Sequence, residues 1–293
     1  MRLAITGGSG QLARRTAELV LETVAPEDLI VATRTPAALA ALTARGVTVR
    51  AADFAAPESL RGAFAGAERL LLVSATDLAH RSAQHRAAIA AAKAAGVRHV
   101  IYTSGLKPEP PNPAVVAPSH YATEQALTQS GLDWTILRNS LYADYQLAEA
   151  TQAIASGALV HNRGHGKVAY VTREDCARVA ATVLLAAGHG GACYDVTGSE
   201  PYSAADLAAL YGQLGGRAVA VHAVDDEDFI ATLVGNATGD DHLRYGAELV
   251  ASLGRSIREG YMDACTDTVA KLTGRPARSL RSALEPLGTR PRR

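Results

Sequence analysis

The stretch MRLAITGGSGQLARRTAEL (residues 1–19) joins a short apolar run to a helical pattern through three glycines and a serine. Residues 3–6 are apolar and partly β-branched, which predicts a β-strand. From Gln11 onward, apolar residues recur at helical spacing. Residues 7–10 are therefore predicted to form a strand-to-helix turn, where backbone N–H groups and the positive end of a helix dipole can meet a phosphate.

The same alternation of strand and helix continues through the first half of the chain. Strands are predicted over residues 2–6, 28–33, 47–51, 68–74, 98–103 and 133–138, and helices over 11–23, 36–44, 57–65, 80–95 and 119–130. This alternation with short links implies right-handed crossovers and a parallel sheet. The strands are almost unbroken apolar runs, which is typical of a sheet covered on both faces. The predicted fold class is α/β, with a Rossmann-type doubly wound parallel sheet.

Composition limits the classes of partner. Among 293 residues, 48% are apolar and 29 basic side chains balance 29 acidic ones, so no net charge favours nucleic acid or an anionic membrane. No apolar run approaches the roughly 18 residues of a membrane span. The cysteines, Cys176, Cys193 and Cys265, are scattered and odd in number, which indicates a reducing, cytoplasmic setting. His161 and His165 lie four residues apart without a third ligand in view, so we predict a plain loop and no metal.

The glycine turn carries a nucleotide-binding pattern, Gly7-x-x-Gly10-x-x-Ala13. The first glycine makes the turn, Gly10 lets the backbone approach a pyrophosphate, and Ala13 allows helix and strand to pack closely. No Gly-Lys-Ser/Thr follows, which excludes a Walker A loop. We predict that a dinucleotide is bound by Gly7, Ser9, Gly10, Gln11 and Leu12. The alternative is an ordinary glycine-rich turn.

The end of the second predicted strand indicates which dinucleotide is bound. An acidic residue there would bind the ribose 2′-hydroxyl of NAD, but the chain has Thr33-Arg34-Thr35. The guanidinium of Arg34 suits a 2′-phosphate, so NADPH is predicted, with NADH left open. After the third strand, Asp53 could accept a hydrogen bond from the adenine amino group and Phe54 could lie beside the base. A capping Asp and a core Phe are an equal alternative.

After Arg138 the alternation of strands and helices ends. Helices are predicted near residues 142–156, 173–187, 203–214 and 226–260, a strand at 193–196, and a last helical segment at 266–287. We assign residues 1–140 to an NAD(P)-binding domain. Residues 141–293 form a smaller, helix-rich, substrate-binding lobe, part of which returns to the main sheet. Residues 107–118 contain five prolines and are predicted to form an exposed loop.

Several stretches together resemble the NmrA-like group of atypical short-chain dehydrogenase/reductases. They are residues 6–13 (TGGSGQLA), 32–34 (ATR), 52–54 (ADF), 66–74 (GAERLLLVS), 91–97 (AAKAAGV), 120–124 (HYATE) and 130–139 (SGLDWTILRN). The chain is most similar to NADPH-dependent quinone oxidoreductases and triphenylmethane reductases, over nearly its whole length. The resemblance implies that the nicotinamide cofactor is bound directly without a flavin, and that Ser74, Thr103 and Ser104 line the cofactor groove.

One departure from the wider family bears on the chemistry. Typical short-chain dehydrogenases use Tyr-x-x-x-Lys, in which the lysine lowers the pKa of the tyrosine. Here Tyr121 is followed by Gln125, and a neutral amide cannot lower a phenol pKa as a cation does. A reaction dominated by hydride transfer to an electrophilic acceptor is therefore expected. His120 is the predicted proton donor, with a pKa near the working pH. Alternatively, His120 and Glu124 are an ordinary pair on a helix face.

Polar and aromatic residues follow the sixth predicted strand. Ligands of doubly wound sheets sit at the carboxyl ends of the strands. Asn139 joins His120 and Tyr121 in the predicted catalytic set, and Leu141, Tyr142 and Tyr145 are predicted to contact the substrate. Trp134 is expected to cluster with the two tyrosines around a flat aromatic substrate, with a plain core cluster as the alternative.

Two function classes follow from these residues. The first is a flavin-independent NADPH-dependent reductase that transfers hydride to a quinone or related polycyclic aromatic, with a place in an aromatic natural-product pathway as one option. The second is an NmrA-like redox-sensing regulator that binds NAD(P) and a protein partner without turnover. A substrate pocket with a proton donor favours the enzyme. No nucleic-acid or membrane partner is expected, and the oligomeric state is left open.

Overall fold

The computed structural model describes residues 1–235 and 241–285. Its strands are β1 (Leu3–Ile5), β2 (Leu29–Thr33), β3 (Thr48–Ala51), β4 (Arg69–Leu72), β5 (His99–Gly105), β6 (Asp133–Asn139), β7 (Ala158–His161), β8 (Ala192–Val196) and β9 (Ala220–Ala223). Its helices are α1 (Gln11–Val20), α2 (Ala40–Ala44), α3 (Glu58–Phe64), α4 (Arg81–Ala94), α5 (Ala117–Thr128), α6 (Gln146–Ser156), α7 (Arg173–Leu185), α8 (Ala204–Gly215), α9 (Asp226–Val234), α10 (Asp241–Arg258), α11 (Thr268–Thr273) and α12 (Leu280–Leu284).

A seven-stranded sheet in the order β3-β2-β1-β4-β5-β6-β8 forms the centre of the molecule. All its pairings are parallel, which confirms the predicted fold class. The chain runs outward from β1 in one direction to β3 and then returns to β4 on the other side of β1. This reversal makes a crevice at the carboxyl ends of β1 and β4, where ligands of doubly wound sheets bind.

Apolar cores lie on both faces of the sheet. On one face, Leu3 and Ile5 pack with buried residues of α1 and α7. On the other face, Ala4 and Leu70 pack with buried residues of α3, α4 and α5. Covering both faces explains why the strands read as continuous apolar runs.

The second half of the chain contributes to two parts of the molecule. Strand β8 pairs with β6, and α7 lies on the core face beside α1, so part of this half completes the main sheet. Helices α6, α8 and α12 share a separate apolar core. Strands β7 and β9 pair with each other as a small parallel sheet that was not predicted. The functional division between residues 1–140 and 141–293 stays a prediction.

Two of the predicted C-terminal helices are shorter than expected. The helix predicted over 226–260 is two helices, α9 and α10, and residues 236–240 lie outside the described range. The segment predicted over 266–287 contains α11 and α12, which are separated by non-helical residues that begin at Gly274, in the left-handed conformation (φ +69°). Residues 286 and 287 lie outside the description.

The proline-rich segment 107–118 is not the plain exposed loop that was expected. Asn112 is buried and its side-chain oxygen accepts a hydrogen bond from Ser256 of α10 at 2.9 Å. The N–H of Val115 donates to Ser252 of the same helix at 3.1 Å. Helix α10 therefore packs on this segment. Through residues 1–235 and 241–285, no helix has both the length and the apolar character to cross a membrane.

Candidate active site

The glycine turn between β1 and α1 lies at the reversal point of the sheet. Gly7 has φ +68°, in the left-handed region that favours glycine. The N–H of Gly8 donates to the carbonyl of Ala32 on β2 at 3.0 Å, and the N–H of Gly10 donates back to Gly7 at 2.8 Å. The turn is thus held against β2 and opens towards the crevice.

Helix α1 begins with free backbone donors. Gly10 occupies the N-cap position and supplies no side-chain cap. Among the described residues, the N–H groups of Gln11 and Leu12 have no protein acceptor. Ser9, Gly10 and Gln11 are exposed, whereas the Leu12 side chain is buried, so Leu12 offers only its backbone. Uncapped N–H groups at a helix N-terminus fit a pyrophosphate.

The glycines at positions 8 and 10 meet different constraints. A Cβ atom on Gly8 would lie 2.2 Å from Cγ1 of Val31 and 2.9 Å from Cδ1 of Leu39. Gly8 is therefore needed for packing against β2, a role that the sequence pattern did not reveal. A Cβ atom on Gly10 would lie 3.2 Å from the carbonyl oxygen of Gly7, on the exposed side of the turn.

The residues predicted to bind the adenosine end follow β2 and β3. Arg34 is exposed just beyond β2, and no ion pair of the described residues includes it. Asp53 accepts a hydrogen bond from the N–H of Ala55 at 2.9 Å. The Phe54 ring packs against the core and lies edge-on to His85, with ring centroids 6.0 Å apart. The contacts of Arg34, Asp53 and Phe54 with a cofactor stay predictions.

The ends of β4 and β5 are tied together beside the crevice. The N–H of Ser74 donates to the Thr103 hydroxyl at 3.0 Å. Ser104 is buried and its hydroxyl donates to Glu124 at 2.6 Å. Ser104 thus has a partner within the protein, which was not predicted, and a role of these three residues in the cofactor groove stays a prediction.

Glu124 belongs to a buried ion pair. Its carboxylate accepts hydrogen bonds from Nε and Nη2 of Arg138 at 3.0 and 2.6 Å, in a forked arrangement that is typical of strong pairs. Glu109, in the proline-rich segment, also binds Arg138. Within the described residues, the hydrogen bonds of Glu124 go to Ser104 and Arg138, and none goes to His120.

His120 is buried between a tyrosine hydroxyl, to which its Nδ1 bonds, and an arginine, which donates to its Nε2. Its Nδ1 lies 2.8 Å from the Tyr102 hydroxyl and its Nε2 lies 3.3 Å from Nη1 of Arg81. Because an arginine can only donate, Nε2 is the acceptor and the ring proton sits on Nδ1. Burial and, to a smaller extent, the charge of Arg81 together lower the pKa of His120 to about 3. The expectation that its pKa lies near the working pH is therefore wrong, because His120 is neutral.

Arg81 and His85 complete a buried polar cluster that the sequence did not reveal. Nε of Arg81 donates to the carbonyl of Ala75 at 2.7 Å, and Nε2 of His85 accepts from the N–H of Ala75 at 2.9 Å. Nδ1 of His85 bonds to the hydroxyl of Thr123 at 2.9 Å. Burial lowers the pKa of His85 to about 3. One signal was available, because Arg81 and His85 are four apart and share one face of α4.

Tyr121 is half-buried, and Gln125 is exposed on α5. Within the described chain, neither side chain forms a hydrogen bond or an ion pair with another residue. The amide that replaces the usual lysine therefore faces solvent. A catalytic role of Tyr121 stays a prediction.

Two buried polar atoms at the carboxyl end of β6 lack partners. Oδ1 of Asn139 and the hydroxyl of Ser140 make no hydrogen bond within the described chain. Nδ2 of Asn139 donates to the Tyr142 hydroxyl at 3.4 Å. Buried polar groups nearly always have partners, so a free acceptor here is consistent with a ligand at this edge of the sheet.

The two tyrosines beyond β6 lie beside an arginine. The Tyr142 and Tyr145 ring centroids are 6.1 Å apart, and the guanidinium carbon of Arg173 lies 4.9 and 4.5 Å from them. Tyr145 is 64% exposed, while burial raises the pKa of Tyr142. Leu141 packs against the core of the smaller lobe. Trp134 instead packs on the far face of the main sheet, so its expected cluster with the tyrosines is wrong.

Comparison with known proteins identifies the family. The model of an NAD(P)H-binding family matches residues 7–187. The chain belongs to this NAD(P)H-binding family. It is 37% identical to quinone oxidoreductase 2 of Escherichia coli over 285 residues, covering 97% of this chain and 98% of that one.

The fold of the chain also matches solved structures of reductases. A crystal structure of an NADPH-dependent quinone oxidoreductase from Escherichia coli, complexed with NADPH, matches with a TM-score of 0.91 and 35% identity, over 97% of this chain and 99% of that one. Triphenylmethane reductase from Citrobacter sp., complexed with NADP(H), matches with a TM-score of 0.89 and 32% identity, over 98% and 100%. The predicted similarity to both kinds of reductase is confirmed.

The described residues do not form an obvious metal centre. Over residues 1–235 and 241–285, no group of three or more His, Cys, Asp and Glu side chains is arranged to hold a metal ion. Nδ1 of His161 accepts from the N–H of Arg163 at 3.1 Å. The absence of a metal and of a flavin stays a prediction.

Proposed function

We propose that the protein is a flavin-independent, NADPH-dependent reductase that transfers hydride to a quinone or a related polycyclic aromatic acceptor. The whole-length match to a quinone oxidoreductase complexed with NADPH carries this proposal. The uncapped start of α1 and the exposed Arg34 support it, because they offer donors for a pyrophosphate and for a 2′-phosphate.

The residues of the crevice fit the parts of NADPH. The turn from Gly7 to Leu12 would hold the pyrophosphate, and Arg34 would bind the 2′-phosphate. Asp53 and Phe54 would contact the adenine, and the ends of β4 and β5 would flank the nicotinamide ribose. When bound, the cofactor supplies a hydride, and the protein supplies its position.

Proton supply distinguishes this chemistry from ketone reduction. His120 is neutral, and its Nε2 accepts from Arg81, so this nitrogen has no proton to give. Gln125 does not activate Tyr121 as a lysine would. A quinone needs only weak acid assistance, because its reduction product is a stabilised aromatic oxyanion. We therefore propose that Tyr121 or water supplies the proton, and that His120 positions Tyr102 and Arg81.

Asn139 and the tyrosines are proposed to bind the acceptor. The free Oδ1 of Asn139 can accept a hydrogen bond from a hydroxyl group, such as that of a hydroxylated quinone or of the hydroquinone product. Tyr145 offers exposed aromatic surface a few residues further along the chain, and Leu141 and Tyr142 lie between the two in sequence. A flat aromatic molecule would be held by stacking and by one polar anchor.

The test is an assay of NADPH oxidation with a panel of quinones, in which the loss of NADPH absorbance measures turnover. We expect turnover with quinones, little activity on simple aliphatic ketones, and no flavin absorbance in the purified protein. Gly10→Val, which should not bind the cofactor, is the inactive control. If cofactor binding is intact and every quinone is inert, the proposal is wrong and the redox-sensing alternative gains support.

A further inference from the structure

Arg81 is a buried cation whose partners are all neutral. It is 7% exposed and donates to the carbonyl of Ala75, the hydroxyl of Ser119 and Nε2 of His120. In residues 1–235 and 241–285, no carboxylate lies within ion-pair distance of it. Asp77 acts on Arg81 only through charge, because its oxygens bind His80 and Gln84.

Such an arrangement is costly for folding alone. A buried charge is normally paired, because the loss of hydration is otherwise not offset. Most buried or half-buried arginines here follow that rule, as Arg138 with Glu124 and Arg163 with Glu149 show. An arginine held among neutral acceptors keeps its positive charge uncompensated, and this charge favours a negative charge supplied by a bound molecule.

The contacts of Arg81 place it beside the reaction crevice. Ala75, which holds Nε, directly follows Ser74 at the carboxyl end of β4. His120, which binds Nη1, directly precedes Tyr121 on α5. Both neighbours belong to the set predicted to surround the nicotinamide and the acceptor.

The charge of Arg81 does not depend on pH in the working range. The titratable groups that face it are His85, Tyr102 and His120, with Asp77 and Tyr245 acting through charge. Burial lowers the pKa of both histidines to about 3, so both are neutral in the working range. A guanidinium stays protonated in proteins. The buried cluster beside the crevice therefore holds a permanent cation where the sequence suggested a titrating imidazole.

We propose that Arg81 determines acceptor specificity: it favours neutral acceptors that become anionic on reduction over cationic acceptors that become neutral. This inference rests on the proposed function. A quinone that takes up a hydride from NADPH gains two electrons and becomes a hydroquinone monoanion, while NADPH is oxidised to NADP⁺. One proton from water or Tyr121 then gives the hydroquinone. The oxyanion forms next to the guanidinium, which stabilises it.

A cationic triphenylmethane dye responds in the opposite way. Its central carbon accepts the hydride, a C–H bond forms, and the dye loses its positive charge without releasing or taking up a proton. The positive charge of Arg81 then repels the cationic dye, and no negative charge forms during the reaction for Arg81 to stabilise. Loss of the Arg81 charge should therefore slow the reduction of quinones but not that of cationic dyes.

The experiment compares p-benzoquinone with crystal violet in the wild-type protein and in Arg81→Gln. We expect kcat/KM for the quinone to fall about ten- to a hundredfold, which is less than the roughly hundred- to thousandfold loss for a donor in direct contact with an oxyanion. We expect kcat/KM for the dye to stay constant or to rise, and the NADPH Kd to change less than about threefold. Arg86→Gln, which removes an exposed arginine of the same helix, is the matched control.

Arg81→Lys keeps the charge and provides a second test if the glutamine variant does not fold. A buried lysine titrates at lower pH than an exposed one. The rate of quinone reduction by this variant should therefore decline at alkaline pH, whereas its rate of dye reduction should not. The wild-type protein should show no such alkaline decline with the quinone.

The outcomes separate this inference from the proposed function. The inference would be overturned if Arg81→Gln lowered kcat/KM equally for quinone and dye, or if Arg81→Lys gave the same pH profile with both acceptors. Either result would show that Arg81 has a purely structural role, and the proposed function as a quinone reductase would still stand. A wild-type protein that reduces the dye but no quinone would overturn it as well. Inactivity of the wild-type protein towards both acceptors would overturn the proposed function and this inference together.

Discussion

Removal of the Arg34 side chain tests the choice of cofactor most directly. Arg34 is exposed beyond β2 and forms no ion pair with another described residue, so Arg34→Ala breaks no internal contact. The whole effect should appear in cofactor binding. A charge-assisted hydrogen bond contributes about 1.5–3 kcal/mol, so NADPH affinity should fall about ten- to a hundredfold. NADH lacks the 2′-phosphate, and its affinity should change by less than about twofold.

Calorimetric titration of NADPH and NADH into both proteins measures this difference. Arg86→Ala removes an exposed arginine of α4 and serves as the charge-matched control. Added salt should also narrow the NADPH preference of the wild-type protein, because an exposed charge pair is screened. Equal affinities for the two cofactors in the wild-type protein, or an equal loss for both in Arg34→Ala, would refute the assignment of the 2′-phosphate.

Three further substitutions test the turn and the buried histidines. Gly10→Val should abolish NADPH binding while circular dichroism stays native, and normal binding would contradict the placement of the pyrophosphate. Gly8→Ala should lower the free energy of unfolding by about 1–3 kcal/mol in urea titrations, because its Cβ would overlap β2; an unchanged midpoint would contradict this packing. Because His85 and His120 stay neutral when folded and bind protons when unfolded, each should lower that free energy by about 1.4 kcal/mol per pH unit below about pH 6. His120→Asn should reduce the total slope by the contribution of one histidine, about 1.4 kcal/mol per pH unit, and an unchanged slope would contradict the burial of a neutral ring.

The main sheet could be predicted because its strands are buried on both faces. Strand β2, for example, is apolar or β-branched at every position and is fully buried. The small sheet of β7 and β9 could not be predicted in this way. Both strands have only four residues, and β9 is exposed throughout, so it has no buried face to impose an alternation of apolar and polar residues.

In the candidate site, the features that depend on local sequence could be predicted, and those that depend on distant contacts could not. The phosphate-binding turn is encoded in one short stretch, because the geometry of Gly7 and the start of α1 are local. The environment of His120 is not local, since its partner Arg81 lies on another helix. Burial there depends on how α4 and α5 pack, which a single sequence does not reveal. The same holds for Glu124, whose bonds to β5 and β6 arise only in the folded chain.

The pairing of β8 with β6 has a consequence for synthesis on the ribosome. Residues 140–191 separate the two strands in the chain. At about 5–20 residues per second, a ribosome takes about 3–10 s to add that segment. During this interval the nascent sheet ends at β6, with unpaired N–H and C=O groups along its outer side. Such an edge can pair with another nascent chain, so a fragment that stops before β8 should aggregate.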